Sequence, residues 1–149
     1  MPEALKYLII DGHSIIHAWE DLRKMHLRGA LRYMAREELL KRMRTLQDMT
    51  GERVVVVFDG QGAKTTDERE EGGVQIFYAD AGHTADSVIE RLAAKYAEQF
   101  RLRVCTADRM IWESVRASGA QWISPDTLKD DLERAETDMR GRIKKSKKQ

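Results

Sequence analysis

Aspartate recurs at the ends of apolar runs in this chain. Asp11 follows Lys6–Ile10, Asp59 follows the β-branched run of Arg53–Phe58, Asp80 follows Val74–Tyr78, and Asp108 follows Leu102–Thr106. One such acid is an ordinary turn residue. Several carboxylates converging in one place repel each other unless a cation lies among them, so the pattern implies a metal ion. Hard oxygen donors without Cys–His pairs favour Mg2+ or Mn2+ over Zn2+. The chemistry such a group supports is metal-assisted hydrolysis, in which a held ion lowers the pKa of water and offsets developing negative charge.

The segment HTADSVIE, residues 83–90, is the sharpest local feature. It sets Asp86 and Glu90 four residues apart, on one helical face near a helix N-terminus. Two readings are open: both acids serve the site, or Asp86 offsets the helix dipole while Glu90 pairs with Arg91 or Lys95. His13 and His17 flank Asp11 and either orient substrate or water or are packed or partly exposed histidines. Phosphate contacts away from the acids are available from Lys64, Arg69, Arg91, Arg101, Arg103 and Arg109, with Arg109 foremost because it directly follows Asp108. Trp19, Trp112 and Trp122 sit among apolar neighbours and read as core rather than as base-stacking platforms. The lone Cys105 reads as a small core residue, since no neighbouring His would activate it.

The elements that must position these groups follow from periodicity. Apolar runs without alternation, at Lys6–Ile10, Arg53–Phe58, Val74–Tyr78, Leu102–Thr106 and more weakly Gln121–Ser124, predict strands of a parallel sheet covered on both faces. Leu31–Met49 has helical spacing and stops at Gly51; Thr84–Phe100 is a second helix with Thr84 as N-cap. Met110–Ala117 is a shorter one, and Ser124-Pro125-Asp126 opens a last helix running to about Met139. Gln61–Gly73, rich in charge and glycine, reads as a solvated loop over the site. Strand and helix alternate, and on such sheets ligands bind beyond the carboxyl ends of the strands.

A chain of 149 residues with 42% hydrophobic and 34% charged residues suits one soluble domain, here assigned to residues 1–139. The formal charge of +1 hides an asymmetry: the last ten residues carry six Lys or Arg, leaving 20 basic against 25 acidic residues in the other 139. Residues 140–149 are therefore expected to be a disordered basic tail, either contacting RNA phosphates or merely solubilising. MPEALKYLII lacks the order of a signal peptide, and no apolar run nears the ~20 residues that span a bilayer, so a cytoplasmic protein away from membranes is expected.

Taken together, LIIDGHSIIHAW, VVVVFDG, GGVQIFYA, HTADSVIERL, VCTADR and SPDTLKDDLE resemble, in order and spacing, the NYN-domain, YacP-type nucleases of the PIN-like superfamily. That family includes a ribosome-associated endoribonuclease that cleaves mRNA. The resemblance implies a PIN-like, Rossmann-like α/β fold with a central parallel sheet flanked by helices. It also implies an acidic site of Asp11, Asp86 and Asp108 that binds a divalent metal and hydrolyses RNA, with Asp59 and Glu90 as further members. Ser14 stands where relatives commonly have Asn, which leaves a shorter side chain to hold a ligating Asp or a phosphate. Three other readings compete: an inactive RNA- or ribosome-binding module of the same fold, an aspartyl-phosphate or phosphatase enzyme, and a DNA-directed nuclease. Position 13 is His, which removes the usual second acid of the phosphatases, and the chain lacks room for the helical DNA-binding parts of flap nucleases.

Overall fold

The computed structural model describes residues 5–29, 32–59, 66–69, 73–79 and 84–148, with backbone alone at 32, 66–69 and 146–148. In chain order the elements are β1 (Lys6–Asp11), α1 (Gly12–Ala18), α2 (Glu20–Leu27), α3 (Arg32–Thr50), β2 (Arg53–Asp59), β3 (Thr66–Arg69), β4 (Gln75–Ala79), α4 (Ala85–Tyr96), β5 (Arg101–Cys105), α5 (Arg109–Ala117), β6 (Gln121–Ile123) and α6 (Pro125–Lys148). The sheet order is β3-β4-β2-β1-β5-β6. All neighbours pair in parallel except β3, which runs antiparallel to β4.

Alternation along the strands separates two apolar layers. Leu8, Ile10, Val54, Val56 and Phe58 face α1, α2, α3 and α6, where Ile15, Leu22, Leu39, Met43, Leu46 and Leu128 complete the packing. Ile9, Val55, Val57 and Val104 face α4 and α5 through Val88, Ile89, Ile111 and Val115. Continuous apolar runs arise because both faces are covered. The same parity carries Asp11, Asp59 and Thr106 onto the α4/α5 side.

Local signals set the helix ends. Gly51, at φ 76°, follows α3 in the left-handed conformation that closes a helix with least strain in glycine. The Thr84 hydroxyl accepts from Ser87 N at 3.1 Å, and Ser124 Oγ accepts from Thr127 N at 3.1 Å. Gly12 answers a packing demand instead: a Cβ there would lie 2.4 Å from Cε1 of the buried Phe58 ring. Gly12→Ala is expected to cost about 1–3 kcal/mol, read as a lower Tm in thermal melts; an unchanged Tm would contradict this packing.

The structure departs from the sequence-based expectations in four places. Residues 12–27 form two helices, α1 and α2, where none was expected; they are short and mostly polar, with only Gly12, Ile15, Ile16 and Leu22 buried, so periodicity is faint. The expected loop Gln61–Gly73 contains β3, an edge strand whose polar sequence TDER gives no apolar alternation; residues 61–65 and 70–72 of it lie outside the described residues. α6 passes Met139 and continues to Lys148, so 140–148 are helical instead of a disordered tail. Lys and Arg are good helix formers, and their charge suits a helix C-terminus. Arg103 is not free for phosphate: its guanidinium forks onto Glu52 at 2.6 and 2.9 Å and reaches Asp131 at 3.3 Å, tying β5 to α6.

Candidate active site

The carboxyl ends of β1, β2 and β5 open beside one another, because Asp11 pairs in register with Val57 while Ile10 pairs with Cys105. The strand order reverses about β1, with β2 and β4 on one side and β5 and β6 on the other. A crevice at such a reversal is where open α/β sheets bind ligands.

Asp11 is only 4% exposed and is held from three sides. It caps α1 by accepting from Ser14 N at 3.4 Å, while its Oδ2 accepts from Ser14 Oγ at 2.7 Å and Thr106 Oγ1 at 2.9 Å. Ser14 Oγ in turn accepts from Ala107 N at 3.1 Å, and Thr106 Oγ1 accepts from Asp108 N at 3.0 Å. Two hydroxyls thus lock the β5–α5 turn to the first strand. Asp108 caps α5, its Oδ1 accepting from Met110 N at 2.8 Å. Asp59 accepts from Ala85 N at 2.9 Å at the start of α4. Asp86 lies in the first turn of that helix.

Asp86 senses the other three aspartates. The Asp86 carboxyl is pushed up to about 6, first by burial, then by the charges of Asp11 and Asp108, by a hydrogen bond with Asp108, and by Asp59. Burial and neighbouring like charge both disfavour the ionised form of this carboxyl. As the side chains stand, no three acidic, imidazole or thiol groups among the described residues are already gathered at ligating distances. The donors share one mouth but would have to close in on an ion.

The remaining candidates divide. Glu90 sits one turn beyond Asp86 on α4, half-buried, and no side-chain hydrogen bond or ion pair among the described residues joins it to the four aspartates. Lys95 lies over the Tyr96 ring at 5.4 Å. Ser14 turns inward to Asp11 and supports that carboxylate. His13 is exposed, its ring 4.2 Å from that of His17 and 6.1 Å from that of His26. Burial, then the charges of His13 and Arg23, lower the His17 pKa. Arg109 is exposed beside Asp108. Lys64, like Asp80 and His83, lies outside the described residues. Arg69 is misplaced for the site: the antiparallel turn of β3 pairs it with Gln75, the first residue of β4, about 13 Å from the carboxyl ends at ~3.3 Å per residue. Arg101 likewise begins β5 at the opposite end of the sheet.

Trp19 and Cys105 are core residues, at 3% and 0% exposure, and burial pushes the Cys105 thiol well above its usual range. Thr106 is the functional residue that sequence reasoning passed over. It is fully buried, and its hydroxyl joins Asp11 to the Asp108 backbone. Its signal was a hydroxyl residue directly after the β5 run, two positions before an acid.

Comparison with known proteins agrees with this architecture. The model of the YacP-like NYN domain matches residues 8–149. An uncharacterized protein YacP from Bacillus subtilis (strain 168) is 29% identical over 140 residues, covering 93% of this chain and 81% of the relative. The crystal structure of Rae1 (YacP) from Bacillus subtilis, in a W164L mutant, superposes with a TM-score of 0.81 at 27% identity, over 97% of this chain and 84% of the other. A second crystal structure of Rae1 (YacP) gives 0.78 at 29% identity, over 95% and 81%. No helix among the described residues is long and apolar enough to cross a membrane. A central parallel sheet flanked by helices, four aspartates at its carboxyl edge and a match over nearly the full chain lead to one conclusion: the chain belongs to the YacP-like NYN domain family and has the nuclease-like fold of that superfamily.

Proposed function

We propose that this protein is a divalent-metal-dependent endoribonuclease that hydrolyses RNA phosphodiester bonds at the mouth formed by Asp11, Asp59, Asp86 and Asp108. The observation that carries this reading is the convergence of these four aspartates, felt at Asp86 as a carboxyl raised by burial and by the other three. Hard, mutually repelling oxygen donors fit Mg2+ or Mn2+, and Asp11, Asp86 and Asp108 would hold it. When bound, such an ion supplies positive charge against the scissile phosphate and a more acidic water.

The chain's own residues do the positioning. Thr106 and Ser14 fix the Asp11 carboxylate, leaving its orientation determined before substrate arrives. Capping by Asp59 and Asp108 anchors the first turns of α4 and α5, so Asp86 and Asp108 face the same opening. Arg109, exposed beside Asp108, is placed to take a phosphate next to the cleaved bond. RNA is the substrate on the strength of the family's nuclease-like fold and the basic end of α6 from Arg140 to Lys148. Translated mRNA presented at a ribosome, in the cytoplasm, is the setting in which this activity would operate.

The test is RNA cleavage by the full chain in chelator, then after adding Mg2+ or Mn2+, with product ends mapped. The expected outcome is no cleavage in chelator, recovery with either ion, and 5′-phosphate and 3′-hydroxyl ends. Cleavage that persists in chelator, or 2′,3′-cyclic phosphate ends, contradicts the mechanism. RNA retained in a salt-sensitive way but never cut would establish a binding module instead.

A further inference from the structure

The exposed face of α5 leads away from the acidic mouth, starting at the Asp108 cap. Arg109, Trp112 and Arg116 follow at helical spacing on one face, while Ile111 and Val115 are buried on the other. The guanidinium carbons of Arg109 and Arg116 lie 5.8 and 5.7 Å from the Trp112 ring centroid. Trp112, half-buried, packs against Trp122 at 4.7 Å and 32°. Trp122 Nε1 donates to the Thr106 carbonyl at 2.8 Å, so this aromatic pair hangs from the same residue whose hydroxyl holds Asp11. The Arg109 side chain is 80% exposed, and its acidic neighbour Glu113 is 3.9 Å away and itself 70% exposed, too loose a partner to occupy it.

We propose that this stripe is a track for single-stranded RNA: the strand that occupies the acidic mouth continues along α5, with phosphates on Arg109 and Arg116 and a base against the Trp112–Trp122 pair. The inference rests on the nuclease reading and extends it from Arg109 alone to a continuous surface. Four carboxylates repel the phosphates on either side of the scissile bond, so a bound strand needs cations directly beside the mouth. Arginine pairs phosphate through its planar fork and also stacks on rings, which matches guanidinium groups arranged around an indole. Seven residues of helix rise about 10 Å, room for two or three nucleotides at ~3.4 Å each in a stacked strand. Stacking on tryptophan accepts any base, so this surface contributes affinity and direction more than sequence preference.

Binding of a fluorescently labelled single-stranded RNA 12-mer by the full chain, in chelator so that cleavage does not interfere, tests the track. Wild type is expected to show tryptophan quenching on binding, since Trp112 and Trp122 are the partly exposed indoles and Trp19 is buried. Arg109→Ala/Arg116→Ala should bind at least ~10-fold more weakly at 0.1 M salt, and its slope of log affinity against log salt should fall by about 1.4, at ~0.7 per lost phosphate contact. Both arginines are exposed, so circular dichroism should be unchanged. Trp112→Phe, which keeps a ring against Trp122, should lose the greater part of the quench. An unaltered salt slope in the double variant, or no quench in wild type, overturns the track. Cleavage by wild type alongside unaltered binding by the double variant removes the track and leaves the nuclease. A wild type that never cleaves, with the slope lost in the double variant, does the reverse.

Discussion

Asp86→Asn is expected to lower RNA cleavage by more than about a hundredfold while making the metal-free protein more stable at neutral pH. The loss follows if Asp86 is one of the metal-holding carboxylates proposed above, since substitutions even one shell outside a metal already cost 10–100-fold. The gain follows from the raised carboxyl at about 6, against an ordinary value of 3.8. Between those two values the native state holds a proton that the unfolded chain has released. Stability from this group is therefore complete below about pH 4 and is lost as pH rises through about 6. At pH 7.5 the wild type carries the repulsion and the Asn variant does not. For a fully buried group a rise of this size would correspond to about 3 kcal/mol, but partial exposure and solvent screening bring the expected gain nearer about 1 kcal/mol, or roughly 2–4 °C in Tm. Melts in chelator at pH 4 and pH 7.5 check it: the two proteins should differ only at the higher pH. An Asn variant that cleaves like wild type defeats the proposed site, and one that melts lower at pH 7.5 defeats the electrostatic account.

Thr106→Val should weaken Mn2+ binding and cleavage by about 10–100-fold, although Thr106 is not expected to touch substrate. Valine keeps the volume of the fully buried side chain but removes the hydroxyl that donates to Asp11 and accepts from Asp108 N. Asp11 Oδ2 would retain only the Ser14 hydroxyl, and the Asp108 amide would lose its partner, at a folding cost of about 1–3 kcal/mol. Thr106→Ser restores the hydroxyl and should recover most of both losses. Metal affinity separates positioning from plain destabilisation. A Val variant with wild-type Mn2+ affinity at a temperature where it is fully folded would show that Thr106 merely packs.

Much of the core was legible because it rests on local chemistry. Val54–Val57 declare a buried strand, Thr84 and Ser124 declare helix starts, and Gly51 declares a stop. Where the signal is weak the reading failed. α1 and α2 bury few residues, and β3 takes its place at the sheet edge through backbone pairing, which polar side chains do not advertise. Arg69 and Arg103 show the same limit: spacing gives no hint that one lies at the far end of a hairpin and the other is locked to Glu52 and Asp131.

The sequence by itself determined that aspartates end the parallel strands, because apolar runs and the polar residues that stop them are written side by side. It also singled out Asp86 through its place at the start of an amphipathic helix. Only the tertiary structure decided that Asp11, Asp59, Asp86 and Asp108 lie at one edge of the sheet, since strand order and register bring together positions up to 97 residues apart. Thr106 and Ser14 belong to that second kind of knowledge. A hydroxyl becomes a support for a carboxylate only when folding sets the two within hydrogen-bond reach.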